Sequence, residues 1–272
     1  MDKVSGAGPS GSLPRALALL RALASSGGEG MRLTNAAEAA GVTPASAHRL
    51  FRMLIDEGLV EQDARNKHYR LGIEFFSLAA RAGSPGNLRE VCRPALLRLS
   101  AALGDTVFLL VRSGYDAVCL DRCEGPVPIR SFTGDVGGKV ILGVGQGSMA
   151  ILAHLPEAER DEVIRFNLPR LLNFGPFDEV FFRKGIEQVW ESGYAARETG
   201  LLPGMAGVAV AILDRERRPL AAISIGTTVE RLNAQRLPTV VQVLRREAEA
   251  LASKINPFDA ALRRPGHRAS SY

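Results

Sequence analysis

Residues Gly41 to Gly72 read GVTPASAHRLFRMLIDEGLVEQDARNKHYRLG. Thr43-Pro44 opens a helix. A threonine at the N-cap accepts an orphan backbone N–H, and a proline at the first helical position lacks only a donor that would have no partner there. Ala47, Leu50, Phe51 and Leu54 recur at helical spacing and face a core. Gly58 is a natural stop. Leu59 to Gln62 is then a short strand, Asp63 to Lys67 a polar turn, and His68 to Leu71 a second strand ended by Gly72.

The residues upstream complete a motif. LPRALALLRAL (Leu13 to Leu23) repeats leucine at helical spacing and is stopped by Ser25-Ser26-Gly27-Gly28. LTNAAEAA (Leu33 to Ala40) is a second short helix, with Thr34 as its expected N-cap. Gly41-Val42 is the turn. Helix, helix, turn, helix and hairpin, in that order, make a winged helix-turn-helix. Its third helix is expected in a major groove, with Thr43, Pro44, Ala45, Ser46, His48, Arg49 and Arg52 as the DNA-facing set. Hydroxyls, imidazole and guanidinium donate to the acceptors that phosphates and base edges present. Arg65, Lys67, His68 and Arg70 cluster on the hairpin, where a wing tracks phosphates. The competing reading of these positions is a solvated polar face.

A chain of 272 residues accommodates two domains. Apolar residues are 46% and charged residues 23%, so a sizeable core is affordable and wholesale disorder is excluded. The net charge of +5 and pI near 9.4 are compatible with a nucleic-acid partner and equally with a basic enzyme. Three cysteines, Cys92, Cys119 and Cys123, argue for a reducing compartment rather than a disulfide framework. No histidine lies near them in sequence, so no metal site is expected. No apolar run reaches the roughly eighteen residues a membrane span needs. Met1 to Ser12 is Gly/Ser-rich without an apolar core and reads as a tail, so a cytoplasmic location is expected.

Ile73 to Arg81 continues as a helix, and Ala82-Gly83-Ser84-Pro85-Gly86 is the expected linker. The boundaries are therefore a tail at 1–12, the winged helix-turn-helix at 13–72, a linker helix and linker at 73–86, a second domain at 87–256 and a flexible tail at 257–272. In the second domain, Thr106 to Arg112 and Ala117 to Arg122 form a hairpin, and Val127 to Phe132 is a further candidate strand. Val208 to Leu213 and Leu220 to Gly226 form another pair. Helices are read at 89–103, after the Gly-rich run at 143–147, at 157–166, at 178–192 and at 237–255. Strands mixed with flanking helices predict an α+β domain on an antiparallel sheet.

RALALLRAL, GVTPASAHRL, EGLVEQD and YRLG together resemble the IclR family of bacterial transcription regulators in order and spacing. The resemblance continues through VGGKVILGVGQGSMAILAHLP (Val136 to Pro156) and the GVAVAILD and LAAISIG strands, covering about Leu13 to Lys254. It implies a GAF-like effector-binding domain, a homodimer or homotetramer, and a palindromic double-stranded operator whose binding, by a repressor or an activator, shifts with effector. It also implies a pocket at Gly145, Gln146, Met205, Gly207, Ser224 and Gly226, with Arg197 at a position often acidic in relatives and Pro128 as a weaker match. Three positions depart from the pattern. Pro44 stands where a basic residue is common, Gln146 where a small residue is common, and Gly226 where a hydroxyl can occur.

The Gly-rich run carries neither GxGxxG after a strand nor GxxxxGK[ST], so it is not read as a nucleotide loop and no cofactor is expected. Its use is to let backbone N–H groups approach a carboxylate. Ser224 and Arg197 would then suit a small organic acid, carboxylic or aromatic. Ser224 also fits a satisfied strand hydroxyl, and Arg197 a surface ion pair with Glu198. No GxSxG, HExxH or supported Cys/His pair is present, so an enzyme is not expected. The alternatives are an enzyme acting on small acids with a DNA-binding tether, and a pure interaction module.

Overall fold

The computed structural model describes residues 11–81, 88–126, 129, 135–172, 177–197 and 202–255. The expectations placed on the linker at 82–86, on the strand at 127–132 apart from Ile129, on Pro128 and on the tails at 1–10 and 256–272 lie outside the described residues. The chain divides into two compact units, Met1–Gly83 and Ser84–Tyr272.

In the N-terminal unit, α1 (Ser12–Ser25), α2 (Leu33–Ala39) and α3 (Pro44–Asp56) precede a two-stranded antiparallel ribbon of β1 (Val60–Gln62) and β2 (Tyr69–Leu71), followed by α4 (Glu74–Arg81). Leu19 and Leu23 of α1, Ala36 and Ala37 of α2, and Ala47, Leu50 and Phe51 of α3 make the core, with Val60 and Tyr69 closing it from the ribbon. Thr43 is the N-cap of α3 as its sequence predicts, its hydroxyl accepting from the Ser46 N–H at 3.3 Å. Gly58, at φ 70°, takes the left-handed turn after the helix that a Cβ would strain. The expected cap at Thr34 is corrected. Arg32 occupies the N-cap of α2 without a side-chain bond, and Thr34 lies inside the helix with its hydroxyl donating to Asn35 Oδ1 at 3.3 Å.

The C-terminal unit is an α+β sandwich. Helix α5 (Leu88–Leu103) leads into β3 (Thr106–Ser113) and β4 (Asp116–Cys123), then β5 (Lys139–Ile141). Helices α6 (Gln146–Ala153), α7 (Glu157–Leu171) and α8 (Glu179–Ser192) follow. The chain returns through β6 (Ala195–Arg197), β7 (Met205–Leu213) and β8 (Pro219–Thr228) to α9 (Leu237–Ala252). The six strands form one antiparallel sheet in the order β5-β4-β3-β8-β7-β6.

Strand alternation sorts the side chains onto two faces. Val107, Leu109, Val208, Val210, Ile223 and Ile225 pack with α5 and α9. Phe108, Leu110, Ala209 and Ala222 pack with α6, α7 and α8. On that second face the middles of β7 and β8 pair small residues, Gly207 with Gly226, Ala209 with Ser224 and Ala211 with Ala222. Small residues leave room for a helix to lie close, and α6 is buried from Gly147 to Ala153. A helix whose residues from Gly147 on are all buried, its one hydroxyl, on Ser148, bonded to its own backbone, belongs in such a place.

Asp105, just before β3, is buried and accepts from Thr227 Oγ1 (2.7 Å), Arg231 Nε (3.1 Å) and Arg236 Nη2 (2.6 Å). Burial pushes the Cys92 thiol up to about 12 and the Cys119 thiol up to about 11, so both stay protonated and unreactive at neutral pH. No helix among the described residues is long and apolar enough to cross a membrane.

Candidate nucleic-acid interface and ligand cavity

Helix α3 buries one side and presents the other. Ala47, Leu50 and Phe51 point to the core, while Ala45, His48, Arg49 and Arg52, at i, i+3, i+4 and i+7, share the exposed face. Among the described residues Arg49 and Arg52 make no ion pair. Their guanidiniums are therefore not committed inside the protein. Thr43 and Pro44 are exposed at the helix start. Ser46 is half-buried, and its hydroxyl accepts from the Thr43 hydroxyl at 2.9 Å, so these two hydroxyls already satisfy one another.

The hairpin behind α3 is ordered by its own turn chemistry. Asp63 Oδ1 accepts from the backbone N–H of Arg65 (2.7 Å) and of Asn66 (3.3 Å), and Asn66 Oδ1 accepts from the His68 N–H (2.8 Å). Those backbone donors hold the Asp63 carboxyl below its ordinary range, so it remains charged at neutral pH. Lys67 takes a left-handed φ of 60° and is tied by its N–H to Asp63 O at 3.0 Å. Arg65 and Lys67 are thereby held out on the tip, exposed. Arg70 differs. It faces Glu61 across the ribbon and pairs with it at 2.8 Å, so its charge is already answered within the wing. The His68 ring sits 3.3 Å from Glu29 O, which joins the wing to the turn after α1.

In the C-terminal unit the sheet gathers most of the pocket positions that the resemblance implies. Arg197, Gly207 and Gly226 form one row across β6, β7 and β8. Ser224 lies one step along the same face, and Met205 starts β7 opposite Thr228. Gly145 is the N-cap of α6, with φ 83° and open space where a side chain would point. Gln146 opens the helix two residues earlier than the sequence suggested. Its Oε1 stands 3.3 Å from where a Cβ on Gly207 would be. A Cβ on Gly226 would fall 2.5 Å from Ile129 and 3.1 Å from Phe108, and one on Gly147 would fall 3.3 Å from Ser224 Oγ. The small residues of this face are thus small because side chains already press on them.

Beside this row lies a cavity of about 240 Å³. Gly145 and Gln146 line it. Its other walls were not read from the sequence: Met149 of α6, Phe181 and Lys184 of α8, and Ala196 of β6. Phe181, Lys184 and Gln188 sit at i, i+3 and i+7, a spacing that reads as an ordinary amphipathic helix.

Residues 12–64 match the IclR helix-turn-helix domain and residues 81–253 the bacterial transcriptional regulator IclR C-terminal domain. The transcriptional repressor IclR of Escherichia coli is 28% identical over 229 residues, 83% of each chain. The HTH-type transcriptional regulator KipR of Bacillus subtilis is 25% identical over 79% of this chain and 86% of its own. Among solved structures, an IclR homolog of Microbacterium hydrocarbonoxydans complexed with 4-hydroxybenzoate superposes with a TM-score of 0.72 at 22% identity, covering 89% of this chain and 98% of that one. A winged head with an uncommitted basic helix face, a six-stranded antiparallel sheet, and family matches to both units lead to one statement: the chain belongs to the IclR family of bacterial transcriptional regulators.

Proposed function

We propose that the chain binds a palindromic operator as a homodimer or homotetramer, and that a small carboxylic or aromatic acid held in the C-terminal unit changes its affinity. The observation that carries the DNA half is the exposed face of α3, where His48, Arg49 and Arg52 lie unspent beside a wing that holds Arg65 and Lys67 outward. Guanidiniums read guanine edges or clamp phosphates, and the wing cations add sequence-independent grip. Two such helices in a dimer would enter major grooves about 34–36 Å apart, or a multiple of that. The acid half is supported by the 4-hydroxybenzoate in one structural relative and by the row of small residues at Gly207, Ser224 and Gly226. An effector alters DNA affinity only by binding two arrangements of the heads unequally, and the coupling is reciprocal.

The test uses the full chain and the DNA flanking its own gene. Arg49→Ala and Arg52→Ala each weaken the shifted complex by about 1–3 kcal/mol, roughly five- to 150-fold, at fixed salt. Neither variant alters the rise in melting temperature caused by an acid that binds. Unchanged DNA affinity in both variants would remove α3 from the interface.

A further inference from the structure

We propose that the cavity between α6, α8 and β6 is a binding site for a single-ring aromatic monocarboxylate, with Lys184 as its counter-ion. This rests on the reading that the C-terminal unit is the ligand-binding part, and it moves the acid to a wall on α8 that the sheet-face positions do not include.

The cavity is built to stay open. Trp190 on α8 donates its indole N–H to Ala153 O at the end of α6 (2.8 Å), which fixes one helix to the other. Gln188 fixes α8 to the edge strand. Its amide donates to Tyr194 O (3.0 Å) and Ser192 Oγ (2.8 Å), and its carbonyl accepts from the Ala196 N–H (3.4 Å). Gln188 is therefore a positioning residue with its polar groups used. At Gly185 a Cβ would stand 2.6 Å from Met149 Cε and 3.0 Å from its sulfur, so a larger residue would push the Met149 side chain aside, and glycine lets α8 lie close on α6. The space remains because the small Ala195 faces it from β6 and no side chain leaves Gly145. A pocket held open before binding loses little to reorganisation when a ligand enters.

Its chemistry is that of an aromatic anion. Among the described residues no acidic side chain lines it. Lys184 is exposed at its edge and, among the described residues, makes no ion pair. The neighbouring Arg183 is, by contrast, held by Glu179 at 2.6 Å and lies 3.8 Å from Asp161. The lysine that borders the cavity is thus the one left with a charge to give. Gln146 has an amide at the opposite wall to share the same carboxylate. Between them lie the Met149 thioether and the Phe181 ring, and a ring placed there gains sulfur–aromatic and edge-to-face contacts. Phe181 is itself fixed edge-on against Phe177 and Phe182, with centroids 4.9 Å and 5.5 Å away. One cation selects one carboxylate over two. A volume of about 240 Å³ lies below the roughly 300–1,000 Å³ of sites for drug-sized molecules, which limits the ligand to one ring.

The experiment titrates the full chain with benzoate and with its neutral isostere benzamide at physiological salt, by calorimetry. Wild type should prefer benzoate by roughly tenfold or more, the worth of a charge-assisted contact. Lys184→Met should abolish that preference, and Lys184→Arg should keep most of it. Arg183→Met, which removes the same charge one residue away, should leave it intact. A preference that survives in Lys184→Met overturns the inference. Loss in Ser224→Ala without loss in Lys184→Met also overturns it, by placing the acid on the sheet face, and leaves the regulatory reading standing. If wild type binds no benzoate, the inference falls. A gel shift that still responds to another acid would then separate that failure from failure of the regulatory reading.

Discussion

Replacing Phe51 by alanine should abolish retention of double-stranded DNA and leave the sheet of the C-terminal unit folded. Phe51 is fully buried in α3 and stacks on Tyr69 of β2, with ring centroids 4.4 Å apart and planes 15° from parallel. That stack joins α3 to the wing. Tyr69 in turn exchanges backbone bonds with Met31 (2.8 and 2.9 Å), so the ribbon, the turn after α1 and α3 share one centre. Truncating a buried phenylalanine costs about 3–5 kcal/mol through lost transfer energy and the cavity left behind. A unit this small has a stability near the lower end of the roughly 5–15 kcal/mol common for domains. The substitution therefore removes most of what holds the head together. Limited proteolysis should cut within residues 12–71 first, while residues of the sheet keep their amide protection, because Phe51 belongs to neither cluster that flanks it. Phe51→Leu keeps most of the volume and should retain binding, at a cost of about 1.5 kcal/mol or less. Wild-type DNA affinity and protease resistance in Phe51→Ala would mean that α3 is not seated as described.

The head was readable in the sequence because its signals are local. Thr43-Pro44 and Gly58 punctuate α3 by backbone chemistry alone, and Ala47, Leu50 and Phe51 keep a helical period. Thr34 misled for the same kind of reason. A hydroxyl near a helix start offers a cap without being compelled to supply one, and α2 begins two residues too early to use it. The strands β5 and β6 are as short as β1 and β2, too short to show a period of two, and they lack a tight turn joining them to a sequence neighbour such as Asp63 to Lys67 provides for the wing. The long strands β7 and β8 announced themselves by β-branched runs.

The site divides along the same line. Gly145, Gln146, Gly207, Ser224 and Gly226 were named through a family pattern, and the register of β7 on β8 does bring the last three onto one face. The α8 wall carries no such mark. Phe181, Lys184 and Gln188 follow a helical period whether the facing space is core, solvent or cavity, and only the packing of α8 on α6 through Gly185 decides which. Pairing was equally hidden. Arg70 and Arg65 look alike in sequence, yet Arg70 lies in register with Glu61 and Arg65 sits on the turn. Of the two, Arg65 is the wing cation with its charge available to a phosphate.

Replacing Asp105 by alanine should destabilise the C-terminal unit by about 3 kcal/mol, the lower edge of the range for breaking a buried ion pair. The carboxylate is wholly buried, and two guanidiniums and a hydroxyl converge on it. Its removal strands Thr227 Oγ1, which is itself buried. The arginines suffer less, since their side chains are 39% and 26% exposed and both also donate to Leu103 O. That partial solvation is what holds the loss near the lower edge rather than the upper. For a unit of this size the cost corresponds to a fall of about 6–12 °C in melting temperature. Asp105→Asn is the sharper probe. It keeps the volume and one acceptor oxygen but turns an amide N–H₂ toward a guanidinium, so it should recover less than half of the loss. The consequence reaches the face that carries Gly207 and Gly226 by a short route. Thr227 follows Gly226 on β8, and Thr106, next to Asp105, pairs with Gly226 across the sheet. The Asp105–Thr227 bond therefore pins the end of the strand that carries Ser224 and Gly226. A melting temperature unchanged in Asp105→Ala would show that the 229–236 segment is held by its backbone carbonyl bonds alone.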